Sequence, residues 1–386
     1  MLYRRLFLSL RECLKNRRQP VFVSKPVWPG ATGAQLAWDA KFLRTAVLLT
    51  VDFVGSFLTA PCGDARNSPP CPQPKSPAAG YLRFFRQSLL IIIFSGLVCS
   101  AQSVDGERKI HVLIVDGFRN HDWRQTTSLL RGILDRTGLF EVAVSTAPET
   151  AGDPAWAAWH PKFSDYDVVI QTCNDINHGP SWPEPVKKDF VDFVRQGGGV
   201  YIFHAAENAF VGWKEYEQMV GLCWRGAGYG TAIRLNEDGS LVRIPPGTGG
   251  GTNHGNRGDV LVTRLGDDPI HAGMPRAWLS PDMEVYYFAR GPAENIRVLA
   301  YARDSKPGQG LLWPVEWTTS YGKGRVYIST YGHVWKGDVD PTSMRCAAVQ
   351  TIIPRAVQWL AKRPVTIPVP KDFPGTKAVS VRGDGS

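Results

Sequence analysis

All eight histidines of this 386-residue chain lie beyond residue 110. Three of them share a setting, each a short way past an apolar run. His204 follows Val200–Phe203 directly in GGGVYIFHAAENAF, His121 comes after Ile110–Val115, and His333 after Arg325–Thr330. A strand that feeds a tight turn delivers the turn's side chains to the carboxyl edge of its sheet, where open α/β sheets bind ligands. If those strands are parallel neighbours, the three imidazoles meet at one rim. Such a group offers two kinds of chemistry. It can ligate zinc or another divalent metal with a position left open. It can also work as a metal-free acid/base set, because an ordinary imidazole titrates near 6.5. No HxxxH or HExxH spacing decides between them.

The elements that must position these rings are legible in order. Ile110–Val115 reads as a strand. Leu129, Leu130, Ile133 and Leu134 form a helical stripe stopped by Gly138. Phe140–Val144 and Tyr166–Gln171 read as the second and third strands. Pro183-Glu184-Pro185 opens a helix whose face is Val186, Phe190, Phe193 and Val194, ended by Gly197-Gly198-Gly199. Alternating strand and helix predicts a parallel sheet with helices on both faces. Further on, Lys214–Leu222 reads as a helix, 226–258 as a long glycine-rich loop, and Pro269–Pro275 as a turn that His271 packs. Strands are expected at Asp259–Leu265, Glu284–Ala289, Arg297–Ala302, Leu311–Trp317 and Arg325–Thr330, then a helix over Ser343–Lys362 and an extended polar tail over 363–386. Gly247–Gly251 is no phosphate loop, since no Lys-Ser/Thr follows it.

Charge divides the chain sharply. Residues 1–103 carry 13 Lys+Arg and 4 Asp+Glu, whereas the rest carries 31 of each. The net charge of +9 therefore belongs to the leader, and the neutral remainder argues against nucleic acid as a partner. Residues 1–80 read as low-complexity leader rather than domain, dense in Pro and Gly from Pro61 to Gly80. Arg83 and Arg86, then SLLIIIFSGLV and Cys99-Ser100-Ala101, have the form of a signal peptide over residues 81–102 with cleavage after Ala101. A translation start near Tyr81 and a secreted or periplasmic product are expected. Membrane contact is expected only through that segment, whose core is short for a span. Cys173, Cys223 and Cys346 form neither a metal motif nor a disulfide framework, though one pair could oxidise in an exported protein.

Five segments, in order, resemble the trehalose-utilisation, or ThuA-like, family over residues 109–362. They are Gly117-Phe118-Arg119-Asn120-His121-Asp122, GGGVYIFHAAENAF, Asp268-Pro269-Ile270-His271-Ala272-Gly273-Met274-Pro275, Asp282-Met283-Glu284-Val285-Tyr286, and Tyr321-Gly322-Lys323-Gly324-Arg325-Val326-Tyr327 running on to Gly332-His333. The chain departs from the family pattern in its long 226–258 insertion and in Leu311–Trp317, which lacks a histidine usual there. The resemblance implies a class I glutamine-amidotransferase-like fold, a flavodoxin-like, doubly wound, mostly parallel α/β sheet. There the elbow residue is a nucleophilic Cys. Here it is His204, which cannot replace a thiolate in that geometry. Amidotransferase activity is accordingly not expected. The resemblance implies instead a role in disaccharide or keto-sugar utilisation, with a small-molecule sugar as partner. The oligomeric state stays open.

It also marks Glu284 as the acidic partner of the imidazoles. The expected catalytic set is thus His204, His333, Glu284 and His121, and the expected metal ligands, if zinc or another divalent ion is held, are His121, His204 and His333. Around them, Asn174 and Asp175 end the third strand and read equally as pocket or turn. Glu207 and Asn208 read as partners of His204 or of sugar hydroxyls, or as a helix cap. Tyr286 and Trp335 are expected to contact substrate, Trp335 by stacking on a sugar face. His254 reads as a lid residue or an exposed loop histidine. A non-catalytic carbohydrate-binding or surface interaction module remains the alternative to an enzyme.

Overall fold

A computed structural model describes residues 108–176, 179–306 and 309–383. The expected leader and signal segment over residues 1–102 lie outside the described residues. Strand β1 is Ile110–Asp116, almost wholly buried, as an apolar run covered on both faces must be. Asp122 then caps helix α1, Trp123–Asp135, its Oδ1 accepting from Gln125 N at 3.0 Å. Next come β2 (Phe140–Thr146) and β3 (Val168–Gln171). Helix α2 (Glu184–Gln196) is stopped by Gly197 at φ 124°, and β4 (Gly199–Phe203) is buried throughout.

Helix α3 spans Lys214–Val220. Beyond it the expected loop 226–258 is not all loop. It holds β5 (Thr231–Leu235), β6 (Leu241–Ile244) and β7 (Asn253–His254), short strands whose glycine-rich flanks hide their alternation. Strand β8 is Gly258–Arg264. Strand β9, Ala277–Met283, carries Pro281 and lies at the sheet edge, where a missing N–H is tolerated. The strand expected over Glu284–Ala289 contracts to β10, Tyr286–Tyr287, which pairs with β7 apart from the main sheet. Then follow β11 (Arg290–Gly291), β12 (Arg297–Arg303), β13 (Leu312–Tyr321) and β14 (Gly324–Ser329). The single terminal helix expected is two, α4 (Thr342–Arg345) and α5 (Ala347–Leu360), broken at Cys346 with ψ 127°.

The main sheet is mixed, in the order β2-β1-β3-β4-β14-β13-β12-β8-β9. Its first five strands are parallel, and β14 pairs with β13 antiparallel, as do the strands beyond. One face of the parallel half packs against α1 and α5, through Leu130, Ile133, Ile352 and Ile353. The other packs against α2 and α3, through Phe190, Val194, Tyr216 and Met219. Each such aliphatic side chain, fully buried, contributes roughly 1.5–3 kcal/mol. The tail is extended but not merely polar, since Ile367, Val369 and Phe373 pack on the first of these clusters. Among the described residues, no helix is long and apolar enough to cross a membrane.

Candidate functional site

Because β1, β4 and β14 run parallel, their carboxyl ends share one edge, and all three imidazoles arrive there. His204 is the first residue after β4 and sits in the left-handed region at φ 48°, which is uncommon for a residue with a Cβ. The surrounding turn is fully buried and holds this conformation in place. Before His333, Gly332 has φ 83°, and a Cβ there would lie 2.2 Å from the Phe203 ring. The backbone can turn at this point only without a side chain. His121 leaves β1 through Gly117–Asn120. The ring centroids stand 4.9 Å apart for His121 and His204, 4.8 Å for His121 and His333, and 5.3 Å for His204 and His333.

Hydrogen-bond partners fix where the ring protons are. His204 Nδ1 lies 2.8 Å from the Thr330 carbonyl and therefore donates, leaving a lone pair on Nε2. The Tyr286 hydroxyl is 3.4 Å from that Nε2. His121 Nδ1 donates to Asn120 Oδ1 at 2.8 Å, an oxygen that also accepts from Asn174 Nδ2 at 2.9 Å. His121 Nε2 is thus also a lone pair. His333 is the reverse case. Arg257 Nη1 is 2.5 Å from its Nδ1, and a guanidinium can only donate. The neutral ring therefore carries its proton on Nε2, which faces Glu284 Oε1 at 3.4 Å. Arg257 is itself held by Asp282 at 2.8 Å and Asp338 at 3.6 Å.

Burial lowers all three imidazoles. His121 falls far below the ordinary value through burial, then the neighbouring His204 and Arg119. His204 is likewise well below it, through burial and then His333 and Arg119. His333 drops to about 4 through burial and the Arg257 charge. Burial raises Glu284 against the pull of His254 and Arg257. At neutral pH the cluster is therefore three uncharged imidazoles, two presenting lone pairs and one an N–H.

Two of these rings, His121 and His333, line a cavity of about 420 Å³ together with Glu284, Tyr286, Trp224 and Trp335, while His204 is fully buried beside them. Trp335 is 45 % exposed, and its indole lies nearly parallel to the His333 ring, 15° and 6.0 Å away. That leaves an apolar plate at the mouth, suited to a sugar face. A larger hollow of about 1090 Å³ shares Asn120, His121 and Ile176 with it. The donor set fits a divalent ion. The ligating atoms of His121, His204, Glu284 and His333 lie within 4.8 Å of one another. Both lone-pair rings have the other nitrogen tied to an oxygen, as outer partners hold metal-binding imidazoles.

The remaining expected residues divide. Asn208 and His254 line the smaller cavity, with His254 Nε2 3.7 Å from Glu284, so His254 belongs to the wall rather than to open solvent. Asn174 lines the larger one. Asp175 is spent on the backbone, its Oδ1 accepting from Phe210 N at 2.6 Å. Glu207 is fully buried with neither oxygen hydrogen-bonded, and burial pushes its carboxyl up to about 8. It does not line the cavity beside His204. Cys173 and Cys223 are free and buried, and burial raises both thiols, the opposite of what a nucleophile needs. Sequence reasoning missed Arg257 and Arg119. Arg119, in the same loop as His121, was the more visible.

Comparison with known proteins follows the same lines. A sequence profile of the ThuA family, described as trehalose utilisation, matches residues 111–360. No protein in the curated set matches the chain significantly. A ThuA-like protein of Parabacteroides merdae shares 33 % identity, with 71 % of this chain and 98 % of that one aligned at a TM-score of 0.66. A second, from Bacteroides uniformis, shares 17 % identity over 65 % of this chain and 93 % of that one, with a TM-score of 0.44. The profile and the Parabacteroides protein together establish that the chain belongs to the ThuA family.

Proposed function

We propose that this chain is a sugar-active enzyme of disaccharide or keto-sugar utilisation, working by proton transfer within the His/Glu pocket. The observation that carries the reading is the set of uncharged imidazoles in complementary states beside a carboxylate. His121, on the cavity wall, offers an Nε2 lone pair where a hydroxyl or C–H proton can be taken, and the buried His204, its ring centroid 4.9 Å away, holds a second. His333 presents Nε2–H to Glu284, a pair able to return a proton. Trp335 and Tyr286 would hold the sugar ring against them.

Our finer reading of the fold is a doubly wound, flavodoxin-like sheet of the class I glutamine-amidotransferase type. It is supported by the parallel order β2-β1-β3-β4-β14 and by helices on both faces. A second reading of the site is favoured by the 4.8 Å clustering of donor atoms: a divalent metal, zinc or another, held by His121, His204 and Glu284, which would supply Lewis-acid polarisation of a sugar oxygen. His333 joins such a set only by releasing Arg257. Export through residues 81–102 belongs to the same proposal; amino-terminal sequencing of the native protein tests it, and a mature chain retaining residues 1–80 overturns it.

The deciding experiment measures metal content of the purified protein. It then measures turnover and binding of a panel of disaccharides and keto-sugars by wild type and His204→Ala. Loss of turnover with binding retained supports the enzyme. Binding without turnover in the wild type makes the protein a carbohydrate-binding module. Bound stoichiometric metal, lost in His204→Ala, selects the metal reading.

A further inference from the structure

Four arginines are buried among the described residues: Arg119, Arg225, Arg290 and Arg355. Three are saturated. Arg225 binds Glu217 at 3.1 Å and the carbonyls of Asn208 and Ala209, both at 2.9 Å. Arg290 donates to the carbonyls of Gly250 at 2.8 Å and Gly230 at 3.0 Å. Arg355 donates to Ile270 at 2.5 Å and Ala272 at 2.7 Å. Arg119 has none of this. It is 7 % exposed, and Nε, Nη1 and Nη2 are all sealed from solvent without a hydrogen-bond partner.

No counter-ion is in hydrogen-bond contact with it. The groups whose charge reaches it are Tyr286, Cys173, Asp122 and Asp116. Tyr286 and Cys173 are uncharged at neutral pH, with burial holding both protons on. Asp122 is engaged as the cap of α1. Asp116 accepts from the Thr127 hydroxyl at 2.6 Å and leaves its other oxygen bare. The nearby imidazoles of His121, His204 and His333, all lowered by this same guanidinium, bring no negative charge. A buried guanidinium without a partner is a standing cost that folded proteins relieve by pairing.

Its place says what relieves it. Arg119 lines the 1090 Å³ hollow, two residues from His121, which lies on the walls of both hollow and catalytic cavity. We propose that Arg119 is an anion-binding residue of this site, its nitrogens, covered in this structure, being reached as the ligand parts the loop side chains over them, and that the ligand carries a carboxylate. The planar fork of five N–H donors matches two carboxylate oxygens. For the sugar, this rests on the function proposed above: the substrate class becomes an acidic sugar, its carboxylate at Arg119 and its ring carbons toward His121.

The test uses D-glucuronate and D-glucose as sugar probes, and sodium acetate and sodium phosphate as bare anions. Sodium chloride at matched ionic strength is the control. Binding to wild type and to Arg119→Met is followed by calorimetry, and the His121 ring by NMR. Wild type is expected to bind glucuronate at least tenfold more tightly than glucose, and acetate to compete and shift the His121 ring signals. Phosphate matching acetate would make the position a general oxyanion site fed by free phosphate, and would overturn the carboxylate assignment. Arg119→Met should lose the preference for glucuronate while melting no lower than wild type, because it removes an unpaired buried charge. Equal binding of the two sugars, or a preference retained in Arg119→Met, overturns the proposal. If neither sugar binds but acetate does, and only through Arg119, the sugar reading falls and the anion site stands. If acetate leaves the His121 signals as chloride does, the anion site falls, whether or not the variant folds.

Discussion

His271 and the His121–His204–His333 group are equally shut away from water, yet they hold opposite charge states. His271 is fully buried, with Nδ1 3.1 Å from Asp268 and Nε2 2.9 Å from Glu316, which also accepts from the Tyr327 hydroxyl at 2.8 Å. Burial opposes its charge, but the Glu316 carboxylate and the Asp268 hydrogen bond outweigh it and lift the ring to about 10. The three rim histidines share Glu284, while Asp282 and Asp338 beside His333 are both tied to Arg257, and with that arginine and Arg119 close by, burial wins. The difference teaches which buried histidine is structural. His271 has a carboxylate within 3.1 Å of each nitrogen and, through its bond to Glu316, pins the Pro269–Pro275 turn to β13. Of the rim rings, His121 and His333 line the cavity, and neither His121 nor His204 has a carboxylate on its Nδ1.

The comparison breaks most easily at His271. His271→Leu leaves Asp268 and Glu316 as buried carboxylates without their cation, and is expected to lower unfolding stability by about 3–5 kcal/mol in urea denaturation. His204→Leu, which loses the bond to the Thr330 carbonyl and the Tyr286 hydroxyl contact but strands no charge, should cost less, about 1–3 kcal/mol, while abolishing ligand turnover. Similar losses for the two would erase the distinction.

Acidity and alkalinity probe the two regions separately. The folded value of His271 lies above the unfolded 6.5, so its contribution is complete below about 6.5 and fades as pH rises through about 10. It should amount to a few kcal/mol, and in His271→Leu the alkaline fall of the denaturation midpoint should vanish. The rim imidazoles are depressed, so below about 6.5 the unfolded chain takes up protons that the folded one refuses. Stability should therefore drop as pH falls below about 6.5, and His333→Gln should make that limb shallower by about a third down to 4, its folded value, while His121 and His204 keep their share. The smallest expected effect is at the mouth. Trp335→Ala removes only the stacking plate and should weaken sugar binding by about 1 kcal/mol, near fivefold in Kd, without moving the melting temperature.

The rim could be read from the chain because its three rings obey one local rule, an apolar strand followed by a polar turn, and the parallel pairing of β1, β3, β4 and β14 then does the rest. What escaped reading lacked a local rule. A lone arginine such as Arg119 or Arg257 reads as solvated surface, since only tertiary packing buries the first and brings the second to His333. Strands β5 to β7 are too short and too interrupted by glycine for an alternating pattern, and Pro281 disguises β9 unless its edge position is known. Glu207 was misplaced by one simple geometric fact: the turn after His204 rolls its side chain inward.

The parallel half of the sheet is interrupted in sequence between β4 and β14, and everything antiparallel falls in that interruption. The three imidazoles are delivered by the parallel strands, whereas Glu284, Tyr286, His254 and Arg257 all come from the intervening stretch. The rings and one wall of their cavity are thus encoded by separate segments, while Trp335 and Arg119 travel with the rings. An exchange of the intervening stretch for another of the same anchorage would reshape that wall, and through Arg257 and Tyr286 the setting of the rings, while leaving the strands that deliver them in place, a division of labour on which divergence of ligand preference can act.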